Sequence, residues 1–287
     1  MKTNVEKLTH DTLYVLVTCS KEETRHVCLE KTVKSLQDTQ FLEVYRDNIL
    51  VFDNDSTYAN TLKFLKDNFR NVYKSNINVG YWSAIKWAVD NHVEIMGKKF
   101  KYIYPIESDC VYYDIEKLSY AEQFLDVCDL VGSVRCQEFS VSECHLYDKD
   151  IHTEKSRTHA WVRQTNYFTK EKVFFQKTDI PFVYLNNFVS LICCLNRMET
   201  MKLVFDELSM LDSFTELQFQ AKFYQYYQLC GCIDGGVFTS LGNDGDTLSG
   251  SLFGNQTKQI LSDAGYLPTR GSLNIVPPNE FVVTKLK

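Results

Sequence analysis

Two acidic clusters carry most of the chemistry this sequence offers. Asp53 and Asp55 follow the apolar run 49–52, and Glu107 and Asp109 follow a second apolar run, 101–106. A carboxylate just past the first run suits the hydrogen-bonding edge of a base or ribose. Two carboxylates one residue apart suit a divalent cation on a diphosphate, because hard oxygen donors favour magnesium or manganese. Taken singly, each cluster also fits a helix cap or a solvated turn. Cys230 and Cys232 lie one residue apart, with no second pair at metal-finger spacing, so the ten cysteines read as buried free thiols rather than a zinc site.

Such acids work only if a scaffold brings them together, and the first half of the chain supplies one. Residues 13–18 form a continuous apolar run, as expected of a strand covered on both faces. A helical stripe of Val27, Leu29, Val33 and Leu36 follows, then a strand over 48–52 and a helix carrying Leu62, Phe64, Leu65 and Phe69. A short strand over 72–74, a helix over 83–95 and a strand over 101–106 complete a β-α-β-α-β-α-β pattern. That alternation predicts an α/β fold with a mostly parallel sheet. Both acidic clusters then lie past the carboxyl ends of strands, where open α/β sheets bind ligands.

The second half is less regular. Residues 126–134 suggest another strand region, 182–195 hold an apolar run, and 200–208 and 216–229 read as helices. Residues 241–254, rich in glycine and Asn-Asp turns, read as loop. The 287 residues include 44% hydrophobic and 14% aromatic side chains, enough apolar surface to exclude a disordered or low-complexity chain. The net charge of −6 argues against coating of nucleic acid by the whole molecule. No run approaches the roughly 18 apolar residues of a membrane span, and the polar start lacks a signal-peptide core, so a soluble, cytoplasmic protein is expected.

The order of the segments resembles the GT-A nucleotide-sugar glycosyltransferases, closest to the family 2 group that includes rhamnosyltransferase-like enzymes. Val51-Phe52-Asp53-Asn54-Asp55-Ser56 is similar to that group's V-D-N-x-S segment. Asn78-Val79-Gly80 with Ala84 is similar to its N-x-G-x-x-x-A segment, and Glu107-Ser108-Asp109 stands at its D-x-D position. The run 191–197, then Phe205-Asp206-Glu207 and Thr215-Glu216-Leu217 with Gly231 downstream, resemble its apolar strand, its F-D-E turn and its acidic helix start. The likeness spans roughly residues 11–240.

The resemblance implies a Rossmann-like GT-A sheet flanked by helices, and a metal-assisted transfer from a nucleotide-sugar donor to an acceptor hydroxyl. It implies that Thr18, Cys19 and Ser20 form the loop under the nucleotide and that Asp53 contacts base or ribose. Asn78 and Gly80 would line the cleft near the diphosphate, and Glu107, Ser108 and Asp109 would form the diphosphate site. Glu107 and Asp109 would hold Mn2+ or Mg2+. Glu216 would be the general base, although a first-turn helix acid capped by Thr215 or Ser213 fits there equally. All six histidines lie at or before residue 159, so the downstream histidine ligand of the resemblance is missing; either Asp244 or Asp246 substitutes for it, or the metal is held more loosely. Stereochemistry is left open between retention and inversion.

Residues 152–177 gather six basic and two acidic side chains with several aromatics, in an otherwise acidic chain. Trp161, Arg163, Lys170 and Lys172 there are candidate contacts to an anionic acceptor, such as a modified DNA base or a phosphorylated glycan or lipid carrier. A solvated hairpin accounts for the same composition. The expected organisation is a nucleotide-sugar half over 1–110, an acceptor and catalytic half over 111–240, and a tail over 241–287 that serves as a possible lid. Two rivals stand beside the transferase: a nucleotidyltransferase, disfavoured because Thr18-Cys19-Ser20-Lys21 lacks a glycine-rich phosphate loop, and a non-catalytic binding module of the same fold.

Overall fold

In the first strand, β1 (Thr12–Thr18), every residue is buried, and alternate side chains enter two different cores. Tyr14 and Leu16 pack with Leu29, Val33 and Leu36 on one side, while Leu13, Val15 and Val17 pack with Trp82, Ile85, Ala88 and Val89 on the other. That period of two needs a layer on each face, and here helices supply both, giving a three-layer αβα arrangement. The computed structural model describes residues 11–138, 175–186, 194–208, 222–223, 225–227, 229–241 and 280–286.

The helices follow the strands as the sequence pattern predicts. α1 (Glu23–Asp38) and the short α2 (Phe41–Val44) lead to β2 (Ile49–Asp53). α3 (Ala59–Asn68), β3 (Val72–Ser75), α4 (Tyr81–Met96) and β4 (Tyr102–Glu107) complete the alternation. β1 pairs in parallel with β2 and with β4, and β2 with β3. α4 stops at Gly97, whose φ of 65° is the left-handed conformation that closes a helix at little steric cost.

Beyond β4 come β5 (Cys110–Tyr112), α5 (Leu118–Val127), β6 (Val131–Arg135), β7 (Phe175–Lys177), β8 (Val183–Asn186) and β9 (Cys194–Arg197). α6 (Met198–Leu208), β10 (Leu229–Ile233), β11 (Phe238–Ser240) and β12 (Val283–Lys285) follow. Among the described residues the main sheet runs β12-β3-β2-β1-β4-β9-β6-β10-β8-β7, with β5 and β11 in a separate two-stranded antiparallel sheet. The sheet is parallel around β1 and mixed beyond β4, where β9 runs antiparallel to both β4 and β6. Among the described residues, β9 meets β4 at Tyr102 and Ile103.

Several expectations need correction. Asp126 and Val127 belong to α5, not to a strand, and the strand begins at Val131. Val27 is exposed, and α1 buries His26 and Cys28 instead. Phe205, Asp206 and Glu207 lie inside α6 rather than at a turn. Leu229 opens β10, so the helix expected over 216–229 ends before it. The tail is not wholly irregular either: β12 pairs antiparallel with β3, and Phe281 is buried in the core under α4.

Candidate active site

Parallel register places the expected residues at one end of the sheet. Thr18 stands opposite Asp53, Asp53 opposite Lys74, and Val17 opposite Glu107. Four loops therefore leave β1, β2, β3 and β4 on the same edge, and side-chain hydrogen bonds tie them together.

The β1 and β2 loops are joined by their backbones. The Asn54 N–H donates to the Thr18 carbonyl at 2.7 Å, and the Ser20 N–H donates to Ser56 Oγ at 2.8 Å. The Thr57 and Tyr58 N–H groups both donate to the Ser20 carbonyl at 3.1 Å. Asp55 adopts a φ of 65°, a left-handed turn that acidic and amide residues tolerate, and its carboxylate meets Lys21 Nζ at 2.6 Å.

Asn54 is the side chain that adds the third loop, and it is absent from the site residues expected from sequence. Its Oδ1 accepts from the Val79 N–H at 2.7 Å, while its Nδ2 donates to Asn78 Oδ1 at 2.9 Å. Asn78 Oδ1 also accepts from the Gly80 N–H at 2.9 Å, and Asn78 Nδ2 points to Cys19 Sγ at 3.5 Å. Gly80, with φ 80° and ψ 165°, turns the chain into α4 in a conformation a Cβ would strain. The asparagine between two acids in Asp53-Asn54-Asp55 was the available signal.

Asp53 is fully buried at the end of β2. Lys74 Nζ lies 3.3 Å from its carboxylate and also donates to the Ser56 carbonyl at 2.6 Å. Burial pushes the Asp53 carboxyl up, while Ser56 and Lys74 pull it back down. In this arrangement Asp53 faces Lys74 and the turn, and the more exposed acid at this corner is Asp55.

Glu107, Asp109 and the neighbouring Cys110 each bring a ligand atom within 4.8 Å of the others. Helix α1 fixes this turn: Thr32 Oγ1 accepts from the Cys110 N–H at 3.1 Å and Ser35 Oγ from the Tyr112 N–H at 3.0 Å. The Leu241 N–H donates to the Asp109 carbonyl at 2.9 Å, which brings the end of β11 against the same corner. Arg25, in the first turns of α1, puts a guanidinium nitrogen 3.5 Å from Asp109 Oδ2. A positive charge already stands at the carboxylates, and the two hard carboxylate groups fit a divalent cation. Cys110 is fully buried; burial and the two carboxylates push its thiol well up. Neither Arg25 nor Cys110 was singled out from sequence.

Thr18, Cys19, Ser20, Asp53, Asn78, Gly80, Glu107, Ser108 and Asp109 thus gather at one sheet edge. Glu216, Trp161, Arg163, Lys170 and Lys172 lie outside the described residues, as do Asp244 and Asp246.

Neither a family model nor a curated protein matches the chain. Solved structures do. The structure of S. aureus TarS 1-349 in complex with UDP-GlcNAc superposes with a TM-score of 0.50 at 14% identity, over 91% of this chain and 68% of that one. Glucosyl-3-phosphoglycerate synthase from Mycobacterium tuberculosis, in complex with Mn2+, UDP and phosphoglyceric acid, gives 0.50 at 13% identity, over 96% and 86%. The fold is GT-A. The chain spans 60% of another TarS 1-349 structure and 40% of a further TarS structure. The strand-end cleft described above is the carboxyl edge of this GT-A sheet. Among the described residues, no helix is long and apolar enough to cross a membrane.

Proposed function

We propose that the chain is a nucleotide-sugar glycosyltransferase, family 2-like and nearest the rhamnosyltransferase-like group, that transfers a sugar to an acceptor hydroxyl with a divalent cation. The observation that carries this reading is the convergence of the loops after β1, β2 and β3, tied through Asn54 and Asn78, beside the Glu107–Asp109 pair that follows β4. The two GT-A neighbours whose ligands include UDP-GlcNAc, or Mn2+ with UDP, support it.

Thr18, Cys19 and Ser20 floor the nucleoside pocket, Asp53 and Asp55 bound its base or ribose side, and Asn78 and Gly80 shape the path to the diphosphate. Glu107 and Asp109 hold Mn2+ or Mg2+, with Ser108 in the turn between them. When bound, that cation supplies positive charge to the diphosphate as the bond from sugar C1 to its oxygen breaks and the electron pair leaves with it. The acceptor oxygen takes up the bond to C1, and its proton passes to a carboxylate, the role assigned to Glu216. Residues 1–110 are the donor half and 111–240 the acceptor half, with the tail returning to the donor half through β12. Trp161, Arg163, Lys170 and Lys172 form the acceptor surface for an anionic substrate. The eight described cysteines are all free thiols, which fits a reducing, cytoplasmic setting.

Calorimetric titration with UDP, GDP, CDP and dTDP, with and without Mn2+, tests the site. One diphosphate should bind in a Mn2+-dependent manner, and Asp109→Asn should lose that dependence while melting like the wild type. Equal binding with and without the metal, unchanged by Asp109→Asn, rejects the metal assignment.

A further inference from the structure

The segment that leaves β1 carries two cations four residues apart, Lys21 in the loop and Arg25 in α1, and each faces an acid beyond a different neighbouring strand. Lys21 meets Asp55 beyond β2 at 2.6 Å, and Arg25 meets Asp109 beyond β4 at 3.5 Å. β1 lies between β2 and β4 in the sheet, so the segment that follows it reaches the acids beyond both neighbours, Lys21 toward Asp55 and Arg25 toward Asp109. The charges around Cys19, at the nucleoside loop, include Lys21, Asp53, Asp55 and Arg25, while Cys28 one turn further along α1 senses Arg25 together with Asp109. Arg25 therefore lies against the carboxylate pair and within electrostatic reach of the nucleoside loop, the two halves of the site.

On the glycosyltransferase reading, a donor laid across this cleft has its diphosphate between those halves. The N-terminus of α1 is badly suited to receive it: Glu22 caps the helix and Glu23 occupies its first turn, and both repel phosphate. The attraction for an anion at this position has to come from the Arg25 side chain, whose planar fork of donors matches phosphate oxygens. Arg25 and Asp109 are each partly exposed, with 31% and 25% of their side-chain surface accessible, so the pair is open to exchange of partners.

We propose that Arg25 is a diphosphate-binding residue that waits on Asp109 in the nucleotide-free protein and moves to the diphosphate oxygens when a divalent cation takes over the carboxylates. The inference rests on the transferase reading and adds a residue that holds the metal's charge in advance and the leaving group's charge afterwards. It also gives metal and donor an order: a cation entering alone must compete with Arg25, whereas a cation entering with a diphosphate offers Arg25 a new partner.

The two roles make one substitution act with opposite signs. Calorimetry on the full chain measures Mn2+ alone first, then whichever of UDP, GDP, CDP and dTDP binds best, at saturating Mn2+. In Arg25→Gln, Mn2+ alone should bind about fivefold tighter, because a positive charge is gone from the carboxylates. The diphosphate should bind about tenfold more weakly, because a charge-assisted contact is lost. Arg25→Lys should keep the wild-type Mn2+ affinity and recover part of the diphosphate affinity. A diphosphate affinity unchanged in Arg25→Gln overturns the assignment. Parallel loss of both affinities marks a merely structural residue and overturns it too. Wild-type protein that binds Mn2+ but none of the four diphosphates rejects the transferase reading itself, a failure distinct from an Arg25→Gln protein that binds like the wild type.

Discussion

At Asp53 the backbone places a carboxylate where the resemblance asks for one, but the side chain is wholly buried and faced by Lys74. A buried charge with one partner is costly to strip of that partner, because the remaining ion keeps its desolvation penalty. Lys74→Met should therefore destabilise the protein by ~2 kcal/mol, less than a fully buried pair because the lysine side chain is partly exposed. Asp53→Asn added to it should recover most of the loss, a coupling that denaturant titration of the four proteins in the cycle measures. Independent, additive effects would mean the pair does not hold the turn. Sequence located Asp53, Glu107 and Asp109 because acids after apolar runs are conspicuous. Asn54, Arg25 and Cys110 stayed hidden: an amide inside an acidic turn, a helix cation and one thiol among ten carry no local pattern, and only the parallel register brings them to one edge.

The elements up to β4 were legible for a physical reason. Strands buried on both faces are apolar throughout, and the helices between them show a stripe at period 3.6, so both signals are strong. α5 was missed because its inward face, Leu118, Ala121, Phe124 and Leu125, includes the fully buried Glu122, which takes a hydrogen bond from Thr12 and breaks the apolar stripe. β5, β11 and β12 span three residues each, too short for a period to register. β12 nevertheless covers the outer edge of β3, and unpaired edges invite association. Phe281 anchors it in the core, and Asn76 holds it on both sides: the Val282 N–H donates to Asn76 Oδ1, and the Val282 carbonyl accepts from the Asn76 N–H. Phe281→Ala should cost about 3 kcal/mol and promote self-association, readable as a lower melting temperature and a shift in sedimentation. A variant that melts like the wild type and sediments as it does would show that β12 adds nothing to the donor half.

For the molecule as a whole, the buried thiols and phenols set a limit in alkali. Burial raises Cys110, Cys136 and Tyr14 well above their usual values, and Cys194 to about 12. A group whose pKa is higher folded than unfolded holds its proton longer in the native state. Its contribution to stability is complete below the unfolded value, near 8.5 for a thiol, and is lost as pH climbs toward the folded value. Melting temperature should thus change little between pH 7 and about 8.5 and fall steadily above about 9; a flat profile to pH 11 would mean these groups are not buried as described. The net charge of −6 coexists with strand-end acids that are met by cations, Asp55 by Lys21, Asp53 by Lys74 and Asp109 by Arg25, so net charge alone does not describe what the site binds.

On the proposed function, these strand-end loops bind and activate a nucleotide-diphosphate sugar. The most direct test is donor hydrolysis: the protein is incubated with UDP-, GDP-, dTDP- and CMP-sugars in the presence and absence of Mn2+, and released nucleotide is measured. Slow release is expected from one of the diphosphate sugars, dependent on Mn2+ and absent in Asp109→Asn. Release from none of them, with no thermal stabilisation by any donor, would contradict it.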